Sequence, residues 1–518
     1  MNCKYCGTYN QDDFIYCLNC GKKLNQKGVK ETFKTLITRN KKTLIIAVVV
    51  LLVLLGGLFG IKSISNKNES YYFNNSKTIV VDENGNCYIY EGNVRKAEIN
   101  NATLNGQTIS FDQSARLLDV EADELKSLYI YRDGKLNKIT DSYDKYLISD
   151  NGEKVFYTDD ENGEMYLYDV KSKKSTAVLS EGEEKIKLGN YVLSSTGNYL
   201  AYTFKDQKED LIYLYSSKGT EPIPTEETMS GLVGVSDQGQ IIYTTSDKAV
   251  HVCDKGGDIV IVDQYDSMYV NKDYTQLALR YENDFYIYKN KKTSLVLEKD
   301  DIKITDVITP QNTIKRSISQ TNNGKIRETA THIAIDNFEE KYYKSSSYDI
   351  LTIHKNNIAE TVVEKASVFI LSKDGKELYY KGEYGNIVCY SNGNNKDYYN
   401  GHAEVKKIHA HDHVNKGLYF SLEDDNLCYS NGKNTSLVSG QDPVYTLLCD
   451  DGYFYYVNDS VLYAVNKGQN QVLIDEIYDI GEGVDKYGTN SDEGVFYQKG
   501  NNIFFASKGK ASQLNISD

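Results

Sequence analysis

Two patterns of hydrophobic and polar positions divide this chain. From about residue 71 onward, apolar residues alternate with polar ones in short runs, each ended by Gly, Asn, Asp or Ser. LISDNGEKVFYTDDENGEMYLYDVKSKKSTAVL from Leu147 is one such stretch. Period-two alternation puts successive side chains on opposite faces and predicts β-strands with one face buried and one in contact with a neighbour or water. The other pattern is a single unbroken apolar run, Thr43–Ile61, with no charge anywhere in it. At 1.5 Å rise per residue, that run spans roughly 28 Å as a helix, the thickness of a hydrocarbon core.

The alternating region repeats. Related units start at Leu147, Val192, Gly234, Tyr269, Phe369, Leu447 and Tyr487, with a weaker copy at Ser110. Each reads as four short strands: a first strand ending in a polar turn, a second of the LxY type, a third of the LYLY type, and a fourth after a Lys/Asn/Gly turn. Asn151-Gly152, Asp374-Gly375 and Asp451-Gly452 read as type I′ hairpin turns. A period of about 35–46 residues is that of a propeller blade, and packing blades around an axis buries both faces of each sheet. The region resembles the bacterial β-propellers that include TolB-like and WD40-like repeats. That resemblance implies a fold and no catalytic residues. The chain has no Trp, so the WD dipeptide itself is missing.

The expected fold is therefore all-β, a propeller of four-stranded antiparallel blades over 71–518. About ten repeat-sized units fit, whereas common propellers have 4–8 blades. The expectation is one ring of seven or eight blades with decorations, or two rings. Residues 300–366 depart from the repeat and read as an insertion or a boundary.

The apolar run 43–61 reads as a single transmembrane helix, with 62–70 as a linker behind it. Before it, residues 25–42 form a basic neck. Val29, Phe33, Leu36 and Ile37 fall on one helical face, and Lys30, Lys34, Arg39, Lys41 and Lys42 lie largely elsewhere. Basic residues on this side place the N-terminus in the cytoplasm and the long body outside the cell. The run exceeds a signal-peptide core and no small-x-small cleavage site follows cleanly, so it reads as a retained anchor.

The first 24 residues carry Cys3-x2-Cys6 and Cys17-x2-Cys20. Four thiolates paired this way suit a closed tetrahedral Zn²⁺ site, structural because no ligand position stays open. Disulfides and a CxxC redox pair are the alternatives, but the βαβ context of the redox motif is missing. Gly7 and Gly21 follow the second cysteine of each pair, and Phe14 and Tyr16 can cover the metal. The stretch resembles the short zinc-ribbon at the N-terminus of many bacterial membrane proteins, CxxCG…(F/Y)CxxCG. So small a segment buries no core, and the metal would supply its folding free energy.

Charge is partitioned by the apolar run. Residues 1–70 carry a net +7, and the remainder, with 48 basic and 69 acidic residues, a net −21. A body that acidic repels nucleic acid. No GxSxG, HExxH or P-loop motif occurs in it. His409, His411 and His413 alternate, so that on a flat strand two neighbours would share a face and reach one metal or ligand. The alternative is a polar strand face. Cys87, Cys253, Cys389, Cys428 and Cys449 read as small buried hydrophobes rather than a disulfide framework. Two functions fit this chain: a surface binding module for a protein, peptide or surface ligand, with a cytoplasmic partner for the zinc ribbon, or an anchored hydrolase or lyase with a site built from several blades.

The zinc reading makes a direct prediction. Metal analysis of the intact chain is expected to find about one zinc per molecule, lost in Cys17→Ser. Stoichiometric zinc retained in that variant would rule out ligation by all four cysteines.

Overall fold

The alternating units fold into antiparallel sheets in the computed structural model. It describes residues 69–515 apart from 74–76, 83–84, 123–124, 162, 180–187, 206–210, 298–302, 311–312, 314, 319–329, 354–358, 477–492 and 500–501. Cys3, Cys6, Cys17 and Cys20, the neck and the apolar run lie outside the described residues. Among the described residues there is no helix, and hence none long and apolar enough to cross a membrane.

The described residues form eleven sheets in chain order. Blades 1 to 6 span 69–99, 102–140, 145–179, 188–224, 229–262 and 267–297. Blade 7 is made of 304–308 and 342–363, and blades 8 to 11 span 369–399, 405–439, 445–476 and 495–513. Blade 11 shows three strands. Within a blade, burial grades from one edge to the other. The second and third strands are buried on both faces, as Ile241–Thr245 and Val250–Asp254 show, while fourth strands such as Asn394–Tyr399 and Lys174–Leu179 face solvent over most of their length. First strands of neighbouring blades lie close together, as in blades 3 to 5 and 8 to 10. They therefore line the axis.

Each blade buries a hydrophobic face against the next. Ile212, Leu214, Tyr243 and Cys253 join blades 4 and 5, and Ala278, Phe285, Val307 and Tyr343 join blades 6 and 7. The series closes on itself. Val80, Tyr88 and Tyr90 of blade 1 pack on Phe496, Ile503, Phe505 and Leu514 at the other end of the chain, and the Tyr90 hydroxyl donates to the Asn515 carbonyl. The result corrects the expected blade number: one closed ring of eleven blades, neither seven or eight nor two rings. The physical reason is that every repeat-sized unit has a blade on each side to bury its faces, including the last against the first.

Residues 300–366 also find their place. Among the described residues, Ile304–Ile308, Tyr342–Ser345, Ile350–Ile353 and Ala359–Val363 form blade 7, with an insertion between its first and second strands. Inside the insertion, Lys315–Ile318 and Ala330–Ile333 pair with each other. Ala330–Ile333 then runs parallel to Ser267–Val270, with Tyr269 opposite Thr331 and Val270 opposite His332. Ser267–Val270 is the innermost strand of blade 6, so the added hairpin stands on the axial side of the ring. A ring of eleven leaves more axial space than the usual 4–8 blades, and this hairpin takes up part of it.

The described turns between first and second strands fall at one end of the ring. The three read as type I′ are of another type. At Asn151-Gly152 the Gly152 N–H donates to the Ser149 carbonyl at 2.9 Å, and Gly152, but not Asn151, has positive φ (+65°). The same holds at Gly375 and Gly452. This is a type I turn followed by a left-handed residue, the longer hairpin alternative. It leaves the turn's polar groups free to meet the next blade, and the Asn151 N–H donates to the Ser195 carbonyl at 3.0 Å.

Gly152 supplies a test of this interlocking. A Cβ there would lie 2.5 Å from the Ala115 Cβ of blade 2, whereas at Gly134, also at positive φ (+70°), nothing lies within 4 Å. Gly134→Ala meets backbone strain alone. Gly152→Ala meets strain and a clash, and is expected to lose about 1–3 kcal/mol more stability in thermal or denaturant unfolding. Equal losses in the two variants would mean that the turns do not bear on each other.

Candidate functional site

His409, His411 and His413 lie on or just beyond Val405–Asp412, the first strand of blade 9. Its pairing with the second strand slips between Ile408 and Ala410, a bulge centred on His409. A bulge inserts one extra residue and breaks the i, i+2 rule. The imidazoles accordingly meet different neighbours. His409 is buried, with Nε2 2.6 Å from Ser421 Oγ and 3.4 Å from Asp442 Oδ1. His411 stacks on Tyr379 of blade 8 at 5.3 Å between centroids. His413 sits in the following turn, with Nε2 3.8 Å from Asp450 of blade 10. The structure does not bring the three rings to one point. Among the described residues no group of three or more His, Cys, Asp or Glu side chains is placed to hold a metal ion.

The His409 knot contains a serine, an imidazole and a carboxylate, but not in relay order. Nucleophile activation needs the imidazole between hydroxyl and carboxylate, with one ring nitrogen for each. Here Nε2 faces both, and the Ser421 hydroxyl donates directly to Asp442. Ser421 is completely buried. Lys406 completes the knot by bridging Asp442 and Asp425 at 2.9 and 2.6 Å. Burial, with the Lys407 charge adding to it, pushes His409 down to about 4. Burial also lowers His411 and His413. Cys87, Cys253, Cys389, Cys428 and Cys449 form no disulfide with one another, four of them are buried, and burial raises Cys253 to about 12. Burial likewise raises Cys87, Cys389 and Cys428, so neither Cys253 nor any of these three is poised as a thiolate.

A second polar centre gathers on the axis. His332, on the inserted hairpin, is fully buried. It stacks on Phe111 of blade 2 at 4.0 Å and packs against Tyr274 of blade 6 at 4.6 Å. Its Nδ1 is 3.2 Å from the Tyr274 hydroxyl and 3.7 Å from Asp150 Oδ2 of blade 3. Ser195 Oγ of blade 4 lies 2.9 Å from that same Asp150 oxygen and 2.6 Å from the Lys272 carbonyl of blade 6. These contacts join non-adjacent blades and clamp the hairpin in place.

The open site is elsewhere. Between blades 7 and 8, on the end opposite the first turns, lies a groove of about 1180 Å³. Tyr380, Val388, Asn395 and Asp397 on one face of blade 8 form its floor, and Val363–Lys365 at the end of blade 7 forms a wall. The rim is the turn Gly382–Asn386, which holds up Tyr384, 85% exposed. Two floor groups are oriented from below: the Tyr380 hydroxyl donates to Asn395 Oδ1 at 3.2 Å, and Asn386 Nδ2 to Asp397 Oδ1 at 2.9 Å. Sequence reasoning missed this site. Its one signal was a tyrosine set between two glycines, KGEYGN, off the strand alternation that buries most other tyrosines.

No family model matches the chain, and no curated protein does. Among solved structures it is similar to the C-terminal WD40 domain of Sif2, at 10% identity over 61% of this chain and 93% of that one, with a TM-score of 0.31. It is also similar to the extracellular domain of a putative one-component system from B. thetaiotaomicron, at 10% identity over 86% and 71%, TM-score 0.24. A third is Porphyromonas gingivalis dipeptidyl peptidase 4, at 10% identity over 86% and 65%, TM-score 0.36. At such overlap the ring rests on its own strand pairing.

The histidine strand gives a pH prediction. A histidine whose folded pKa lies below its unfolded value holds the neutral form in the native state, so the unfolded chain binds the extra proton. That stability is whole above about pH 6.5 and drains away as pH falls toward 4. Between those limits the native chain is expected to lose on the order of 3 kcal/mol through His409. Denaturant unfolding of His409→Gln should show a shallower loss over the same window, and an unchanged slope would mean that His409 is not buried neutral.

Proposed function

We propose that the ring is a binding module displayed outside the cell, held there by the apolar run 43–61, for a protein, peptide or surface ligand. In this reading Cys3, Cys6, Cys17 and Cys20 hold a structural zinc on the cytoplasmic side, where the small domain meets a partner of its own. The observation that carries the reading is the groove between blades 7 and 8. It is concave, open and preformed, with an exposed tyrosine at its rim, and clefts with a few placed polar groups are where ligands bind. Exposed aromatic residues are also the commonest anchors of recognition surfaces. The axis, the other concave region of a propeller, is taken up in part by the chain's own hairpin.

Two measurements test the proposal together. Protease added to wall-stripped cells is expected to remove an epitope at Asp518 and spare one at Met1, and the reverse pattern would overturn the orientation. A photo-crosslinking residue placed at 384 in intact cells should form a discrete adduct. The same residue at Leu437, 63% exposed on the outer strand of blade 9, should not. Indistinguishable behaviour at the two positions would remove the groove as the binding surface.

A further inference from the structure

The chemistry of the groove narrows its ligand. We infer that it receives a neutral oligosaccharide. This rests on the reading of the ring as a binding module and specifies what one of its surfaces binds.

Size is the first consideration. At about 1180 Å³ the groove exceeds the roughly 300–1,000 Å³ of small-molecule pockets, so its occupant is an oligomer or a segment of polymer. Charge is the second. The body as a whole is strongly acidic, but the lining is balanced: Lys365, Lys381 and Lys396 against Glu364, Glu383 and Asp397. Part of that charge is already spent, because Lys381 pairs with Glu404 and Glu423 at 3.3 and 3.7 Å. With Lys381 taken up, two lysines face three carboxylates, a lining of mixed sign with no block of one charge to hold a polyanion or a polycation.

The donors and acceptors are the third. Asn395 is held by Tyr380 through its carbonyl oxygen, which leaves the amide N–H groups to donate. Asp397 keeps one carboxylate oxygen as an acceptor beyond the one that Asn386 engages. Asn400 adds another amide to the lining. Planar amides and carboxylates satisfy paired hydroxyls, which both donate and accept. Beside them Tyr384 offers an exposed ring, a flat apolar face with a polar edge, which suits the C–H face of a sugar. A peptide would look instead for deep apolar pockets for its anchor side chains. The apolar lining here is limited to Val363 in the wall and Val388 with the two tyrosines, among a majority of charged and amide side chains.

Isothermal titration of the full-length chain in detergent with chitohexaose, cellohexaose and maltohexaose tests the inference. At least one should bind with a Kd of about 1 mM or tighter. Its affinity should fall about tenfold or more in Tyr384→Ala and in Asn395→Ala, and should hold from about 0.05 M to about 0.5 M salt, as binding without net charge does. Tyr384 is exposed, so its loss leaves the fold intact, and unchanged thermal unfolding checks this. Absence of binding by all three sugars, binding that survives Tyr384→Ala, or binding abolished by salt would each overturn the inference. If the sugars fail while a protein adduct still forms at position 384, the binding module stands and its ligand is a polypeptide. If both fail, the binding reading falls with the inference.

Discussion

Burial of one blade against the next is the interaction on which everything else here depends. An isolated four-stranded sheet with apolar residues on both faces has no stable state in water. Each junction in this ring buries several large side chains, worth about 1.5–3 kcal/mol apiece before entropy is charged against them. The last junction is made by residues more than four hundred positions apart in the chain, as Tyr90 and Asn515 show. Because the stack closes, no blade is left with an open face, and strands such as Ile241–Thr245 and Gly417–Leu422 are buried along their whole length.

Closure at eleven blades has a consequence at the axis. More blades mean a wider centre, and the chain fills part of it from within. The insertion in blade 7 leaves the ring at the end where the first turns gather, lays a strand parallel to the inner edge of blade 6, and is fastened there through His332. The turns at that end are drawn together by contacts that pass over a neighbour, such as Ser195 to Lys272 and Lys373 to Asp450, the latter at 2.7 Å. At the opposite end blades 7 and 8 leave a groove between them. One end of the ring is thus built to hold its own segment, and the other has space for something else.

Much of this fold was legible in the residues. Period-two alternation, the LxY–LYLY order and the recurring Gly after a polar turn mark eight of the eleven blades, and leave those at 69–99, 304–363 and 405–439 without an assigned unit. Each of these follows from the side-chain direction of a strand or the φ of a tight turn, both of them local properties. The candidate site was far less legible. His409, His411 and His413 share a face only on a regular strand, and a bulge is set by how that strand meets its neighbours. Ser421 joins His409 from the second strand of the blade and Asp442 from the connection to the next blade, and nothing in their sequence positions pairs them. Tyr384 stood out only as a tyrosine in the wrong phase, and its setting depends on the distance between two blades.

By itself the sequence determined the kind of element, the order of strands within a blade, the apolar run that divides the chain, and the four cysteines at its start. Those are matters of composition and spacing along a few turns or strands. Tertiary structure alone decided how many blades close the ring, that Lys315–Ile318 and Ala330–Ile333 join the sheet of blade 6 although blade 7 encloses them in sequence, and where a groove remains. These depend on the small rotation from each blade to the next and on contacts between residues far apart in the chain. No local pattern encodes either, because each is the sum of many packed junctions.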